Sequence, residues 1–85
     1  MAVLDVDITI SQDECMKRSK EVMIKVGAKE LDIMELEHIL SAGAGDYHYF
    51  VVCRADKGLA FIGEEGAQYA GGSAFVEQAA DALRK

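Results

Sequence analysis

The stretch that decides the fold is Tyr47-His48-Tyr49-Phe50-Val51-Val52-Cys53-Arg54. Aromatic and β-branched residues dominate it, and these residue types favour a β-strand. Successive side chains of a strand point to opposite faces, so Tyr47 and Tyr49 share one face. The other face carries His48, Phe50, Val52 and Arg54. The strand is therefore substantially apolar on both sides, and helices can cover only one of them.

Upstream of this strand, the pattern predicts a strand, a helix and a second strand. Residues 3–10 alternate apolar and polar side chains, which is typical of a half-buried strand. Ser11 and Glu14 have the spacing of a capping box at a helix start, and Gly27 supplies the left-handed stop. Between them, apolar residues recur at helical spacing.

Residues 30–40 are ambiguous, because they are rich in good helix formers. On a helical wheel, however, their apolar and acidic positions mix around the whole circumference. As a strand with one bulge near Ile33 and Met34, the apolar side chains all point inward. We therefore expect a bulged strand here, followed by a turn over residues 41–46.

Downstream of the central strand, a tight hairpin at residues 56–58 leads into a strand over residues 59–62. Residues 63–72 contain four glycines and are expected to form a long mobile loop. Its marker residues are Gly63, Glu64, Glu65, Gly66, Gly71 and Gly72. Ser73 then caps a final helix. The predicted fold is α+β: a two-layer sandwich with a mainly antiparallel four-stranded sheet and two helices, in the order β-α-β-β-β-α.

Composition limits what such a chain can be. Its 85 residues are 51% hydrophobic and 28% charged, which is typical of a single soluble globular domain spanning residues 1–85. Fifteen acidic and nine basic residues give a net charge of −6, which repels phosphate backbones and anionic membranes. We expect no nucleic-acid or membrane partner. The first residues lack the pattern of a signal peptide, so the protein is cytoplasmic or its signal has been trimmed.

The two cysteines allow three interpretations. Cys15 lies in the first helical turn on the face that must pack on the sheet, and Cys53 lies in the central strand. They form a disulfide, which would place the protein in an oxidising compartment, or two reduced core thiols, or a redox site. A bridge would restrict the unfolded chain by about 4 kcal/mol on the loop-entropy model.

The two histidines are weak candidates for a metal site. His38 and His48 flank the predicted turn and are expected on the same sheet face across neighbouring strands. Catalytic zinc needs three protein ligands, and spacing identifies no third one. Ordinary histidines are the favoured interpretation, so no metal and no cofactor is expected.

The uncovered sheet face around His48, Phe50, Val52 and Arg54 is the main functional candidate. A solvated face normally shows cleaner alternation, so this one is expected to meet a second copy, a protein partner or a small molecule. No P-loop lysine, dinucleotide fingerprint or nucleophile elbow occurs in the chain. We therefore favour a non-enzymatic interaction module that forms a homodimer through this face, with no catalytic residue.

Two other classes of function stay open. A small enzyme would use thiol redox chemistry at Cys15 and Cys53 or a metal at His38 and His48. An inhibitor or immunity-type protein would use its acidic surface to engage a basic partner, because charge complementarity raises association rates.

Three short motifs carry a resemblance to known proteins. They are Ser11-Gln12-Asp13-Glu14-Cys15, Gly45-Asp46-Tyr47 and Val51-Val52-Cys53-Arg54. In order and spacing they resemble a loose group of small bacterial proteins of uncharacterised function, with a cysteine at a helix start and another in a strand. The resemblance implies that Cys15 and Cys53 are the matching pair, and proteins of this group are often exported, which fits a disulfide and a trimmed signal. It implies no catalytic residue.

Overall fold

Residues 2–66 and 74–85, which the computed structural model describes, form an antiparallel sheet covered on one face by two helices. The elements are β1 (Ala2–Asp7), α1 (Gln12–Lys25), β2 (Ile33–Leu36), β3 (Ile39–Ala44), β4 (Tyr47–Arg54), β5 (Leu59–Gly66) and α2 (Ala74–Arg84), with short 3₁₀ helices at Glu30–Asp32 and Ala55–Lys57. The strand order is β1-β5-β4-β3-β2, so β4 lies at the centre. The α+β class is confirmed.

The predicted four-stranded sheet and the predicted order β-α-β-β-β-α are wrong, because the described sheet has five strands and the elements follow the order β-α-β-β-β-β-α. The single bulged strand expected over residues 30–40 is a 3₁₀ turn followed by β2, and β3 begins already at Ile39. Residues 37 and 38 form the two-residue turn between them. Neither is Gly, Asn or Asp, and no described residue other than glycine has a positive φ. The turn therefore lacks the residue types that mark a two-residue hairpin in a sequence.

The turn predicted over residues 41–46 is shorter than expected. Strand β3 continues to Ala44, and only Gly45 and Asp46 form the turn into β4. Gly45 has a φ of 63° at the first central position, which matches a type II′ hairpin.

The mobile loop predicted from residue 63 is also wrong over its first four residues, which belong to β5. Two aromatic rings of β4 explain why glycine is needed there. A Cβ atom at Gly63 would collide with the ring of Phe50, and one at Gly66 would collide with the ring of Tyr47. Gly71, Gly72 and the predicted cap Ser73 lie outside the described residues.

Helix α1 begins and ends as predicted, with one difference. The Glu14 N–H donates to the Ser11 hydroxyl oxygen at 3.1 Å, as in a capping box. The Glu14 carboxylate instead accepts from Arg18 Nε at 2.8 Å, and this hydrogen bond lowers the Glu14 pKa. Past the helix end, Gly27 has a φ of 117°.

The core lies between the sheet and the two helices. On the sheet side, Leu40, Val51 and Ile62 of three adjacent strands are fully buried. The rings of Tyr49 and Phe75 join β4 to α2 with centroids 4.5 Å apart. The helices bury the apolar positions expected from their periodicity: Cys15, Met16, Val22 and Met23 in α1, and Phe75, Val76, Ala79, Ala80 and Leu83 in α2. In the described part of the chain, neither helix has the length and apolar character of a membrane span.

Candidate functional site: the open sheet face

The sheet face opposite the helices, called the open face here, carries a continuous apolar band. Leu36 pairs with Ile39, Ile39 with Val52, and Val52 with Phe61. Paired residues of an antiparallel sheet share a face, so these four side chains form a row across β2, β3, β4 and β5. A second row contains Met34, Phe50 and Val3.

The members of both rows are unusually accessible for large apolar side chains. Leu36 is 65% exposed, Met34 64% and Val3 58%, while Ile39 and Phe61 are 42% and 39% exposed. Phe50 and Val52 are half-buried, and the Phe50 ring lies against the backbone at Gly63. Contiguous exposed apolar area of this kind marks an interaction surface.

Charged side chains border the band at the β1 edge and at the strand ends, but at β2 the apolar Met34 and Leu36 extend it to the edge of the sheet. Asp5 and Asp7 lie on β1 at one edge of the sheet, and Glu65 lies near the end of β5. At the other end, Arg54 donates two hydrogen bonds to Asp56 at 3.0 and 2.9 Å. The hydrogen bond from Arg54 lowers the Asp56 pKa to about 2. An apolar centre with a charged rim is the usual anatomy of a protein–protein interface.

The structure places all four predicted face residues, His48, Phe50, Val52 and Arg54, on the open face. The inward orientation expected for Met34 and Leu36 is wrong, because both are about two-thirds exposed on the open face. Sequence reasoning also missed the other residues that complete the band, namely Val3, Ile39 and Phe61. The five residues belong to four other strands, and only the strand order and register bring them beside Phe50 and Val52. The role of the face as an interface stays a prediction.

The two histidines do not form a common site, which corrects the expectation that they share a face. His48 lies on the open face, with Nε2 3.3 Å from the Ser41 hydroxyl. His38 lies in the β2–β3 turn, with Nδ1 3.1 Å from Nε2 of Gln12 in α1, on the helix side. Within residues 2–66 and 74–85, no group of three or more His, Cys, Asp and Glu side chains is arranged to hold a metal ion.

The cysteines meet beneath α1. Their sulfur atoms lie 2.10 Å apart, a disulfide distance, and both residues are completely buried. The pair joins the first turn of α1 to the end of β4. A buried pair of this kind is inaccessible to a thiol substrate in the folded protein, so the geometry is that of a structural cross-link.

Gln12 is a second link at the same place that sequence reasoning did not identify. Its Nε2 donates to the Cys53 carbonyl oxygen at 2.8 Å, and its Oε1 accepts from the Ala55 N–H at 3.0 Å. These two contacts orient the carboxamide, so Nε2 also donates to His38 Nδ1. One side chain thereby joins the start of α1, the end of β4 and the β2–β3 turn.

A groove of about 490 Å³ lies between α1 and the outer strand β2. The helix contributes Lys17, Lys20 and Ile24, and the strand side contributes Glu30, Glu35 and Glu37. With Asp13 and Glu21 also present, carboxylates outnumber ammonium groups five to two. Among the described residues that line the groove there is no cysteine, serine or histidine that would serve as a nucleophile or a base.

Comparison with known proteins finds no matching protein family, no matching curated protein and no matching solved structure. The resemblance to small bacterial proteins therefore stays a prediction, and the open face and the groove have to be interpreted from their own chemistry.

Proposed function

We propose that this chain is a non-enzymatic interaction module that forms a homodimer by stacking its open face on that of a second copy. The observation that carries the proposal is the exposed apolar band of Leu36, Ile39, Val52 and Phe61. Removing this band from water is favourable, since each Å² of apolar surface buried contributes about 25 cal/mol.

The strand order supports a second copy as the occupant. With β4 in the centre, a two-fold axis parallel to the strands stacks β4 on β4 and places β1 of one copy over β2 of the other. Phe50 and Val52 then lie at the axis, and Arg54, which follows them along β4, faces its own copy with its charge paired to Asp56. Asp5 and Asp7 of the two copies lie at opposite sides of the dimer, so their carboxylates do not repel each other.

The size of the face is sufficient for a moderately stable dimer. Five strands about 4.8 Å apart, each contributing about five residues of 3.3 Å, give a face of roughly 400 Å² in projection. The side chains make the accessible area of each face larger than its projection, so two stacked faces bury roughly 1,000 Å² in total, which is at the lower end for specific interfaces. We therefore expect dissociation in the micromolar range.

The cysteine pair supports a location outside the cytoplasm. Bonded sulfur atoms persist in oxidising compartments and are rare in the cytoplasm. We infer that Cys15 and Cys53 are bonded in the working protein and that it acts in the periplasm or a similar compartment.

Sedimentation velocity between about 1 and 200 µM tests the dimer. We expect the wild type to shift from monomer to dimer and the Phe61→Glu variant to stay monomeric throughout. Ile24→Glu is the matched control, because Ile24 is 44% exposed on α1, close to the 39% of Phe61, but lies in the helix layer. A wild type that is monomeric at 200 µM, or equal weakening by both variants, would contradict the proposal.

A further inference from the structure

Within residues 2–66 and 74–85, one side of the outer strand β2 has no paired strand. In the described sheet it pairs with β3 alone and ends the strand order. Alternate residues of an antiparallel edge strand direct their N–H and C=O groups away from the sheet, so they offer hydrogen bonds to an added strand. Proteins normally protect such edges with charges on both faces, but the side chains of Met34 and Leu36 here are apolar and about two-thirds exposed.

The two faces of β2 differ in chemistry. Met34 and Leu36 lie on the open face, at the end of the apolar band. Glu35 pairs with the buried Leu40 and therefore lies on the helix side, where it lines the acidic groove. A strand added beside β2 would meet apolar side chains on one face and carboxylates on the other.

Charge along this segment favours a cationic occupant. Glu30, Asp32, Glu35 and Glu37 lie on or next to β2, and no Lys or Arg occurs between Glu30 and Arg54. Lys20 approaches Glu30 at 3.6 Å, which leaves the groove with an excess of negative charge.

The same charges disfavour a second copy at this edge. If two copies paired along β2 through a two-fold axis, the two strands would run antiparallel, and the residue at the axis would lie opposite the same residue of the other copy. Side chains that lie opposite each other share a face of the sheet. A register centred on Glu35 places that carboxylate opposite its own copy, and a register centred on Met34 places it opposite Ile33. Both bring the acidic segments of two copies together, and like charges across a strand pair are destabilising.

We propose that β2 binds an extended basic segment of another protein as a sixth strand. The segment alternates Lys or Arg with apolar residues: the cations lie beside Glu35 in the groove, and the apolar side chains extend the band beside Met34 and Leu36. Main-chain hydrogen bonds supply affinity, and the alternation supplies specificity, as in other cases of β-strand addition. This binding requires the free edge of β2 and no contact with a second copy, so it does not depend on the proposed dimer.

The test is a titration of ¹⁵N-labelled, oxidised protein with the capped peptide Lys-Val-Lys-Val-Lys-Val-Lys, followed by amide NMR shifts. We expect saturable shifts concentrated in residues 30–42. The same peptide N-methylated at alternate residues keeps its charge but loses one hydrogen-bonding edge, and it is expected to bind at least ten-fold more weakly. A Glu-Val peptide of the same length is expected not to bind.

Variants separate edge binding from general attraction to an acidic protein. Glu35→Lys is expected to weaken binding at least ten-fold, whereas Glu77→Lys, an equal charge change on an exposed position of α2, is expected to change it less than two-fold. The titration is repeated on the monomeric Phe61→Glu variant, where binding is expected to persist. No saturation by 1 mM, shifts centred elsewhere, or equal binding of the N-methylated peptide would overturn the proposal without affecting the dimer.

Discussion

The ring of Phe50 lies over Gly63 of the neighbouring strand, in the space that a Cβ atom at residue 63 would occupy. The two residues are direct cross-strand partners on the open face. A glycine in a strand is usually unfavourable, but here its missing side chain leaves room for the ring against the backbone.

We predict that Gly63→Ala lowers the free energy of unfolding by about 1–2 kcal/mol, because the new methyl group displaces the Phe50 ring. Urea denaturation measures this loss. Gly43→Ala is the matched control, since a Cβ there would meet only ordinary van der Waals contact, at 3.8 Å from the Tyr47 carbonyl oxygen. Equal losses for the two variants would show that the ring contact is irrelevant.

A double-mutant cycle isolates the contact. In a Phe50→Ala background the ring is gone, so Gly63→Ala is expected to be neutral or slightly stabilising. An unchanged loss in that background would contradict the explanation.

The same contact shows why part of the fold was not predictable from local patterns. Glycines at residues 63 and 66 indicate a loop when judged locally, and only the cross-strand rings of Phe50 and Tyr47 make them strand residues. Likewise, the turn at residues 37 and 38 has no glycine and no positive φ, so the local pattern predicts one strand where the structure has β2 and β3. The helices were predicted well because their buried positions repeat along a short stretch of sequence.

The open face was predictable in part for a similar reason. Alternation along one strand identified His48, Phe50, Val52 and Arg54, because it depends on neighbours in sequence. The positions of Leu36, Ile39 and Phe61 on the open face depend on the strand order. Away from that face, the hydrogen bonds of Gln12 join it to residues 26 and 41 positions away in the sequence. Long-range partners of this kind leave no periodic pattern.

The cysteine pair leads to a prediction about thiol accessibility and stability. Intact mass after alkylation is expected to show no adduct before reduction and two adducts after reduction and unfolding. Reduction is expected to lower the free energy of unfolding by about 4 kcal/mol, because the bridge closes a separation of 38 residues. Urea denaturation with and without reductant gives the difference. Two adducts on the untreated native protein would exclude the bridge.

The ion pair of Arg54 and Asp56 predicts a specific pH dependence. The folded-state pKa of Asp56, about 2, is below its ordinary value of 3.8, so its contribution to stability is present above pH 4 and is lost as the pH falls towards 2. The stability difference between wild type and Asp56→Asn should therefore shrink over that window. NMR titration of the Asp56 carboxyl in an Arg54→Gln variant should give a pKa near 3.8. A value still near 2 would assign the shift to another cause.

The raised pKa of Tyr49 leads to a prediction about the stability of the protein at alkaline pH. Burial, and after it the charges of Glu64 and Tyr47, raise the Tyr49 pKa above its ordinary value of 10.0. The folded state thus favours the neutral phenol. The contribution of Tyr49 to the stability of the folded protein is therefore present below pH 10 and is lost as the pH rises through the folded-state pKa. Tyr49→Phe is expected to reduce the loss of stability above pH 10, measured by urea denaturation. An unchanged loss of stability above pH 10 in the Tyr49→Phe variant would contradict the prediction.

Gln12 provides the most discriminating test of how the start of α1 is held. Its carboxamide bonds two backbone groups, the Cys53 carbonyl and the Ala55 N–H, and truncation leaves both without that partner. Gln12→Ala is expected to lower the free energy of unfolding by about 1–3 kcal/mol. Gln78→Ala is the matched control: Gln78 is also a half-buried helical glutamine, but its Oε1 is buried with no hydrogen-bond partner in the described structure. Removing that unsatisfied oxygen should be neutral or stabilising, since alanine also favours the helix. Comparable losses in the two variants would mean that Gln12 contributes only through packing. A loss confined to Gln12→Ala, together with faster hydrogen exchange at the Ala55 amide, would show that the Gln12 hydrogen bonds hold α1 to the end of β4.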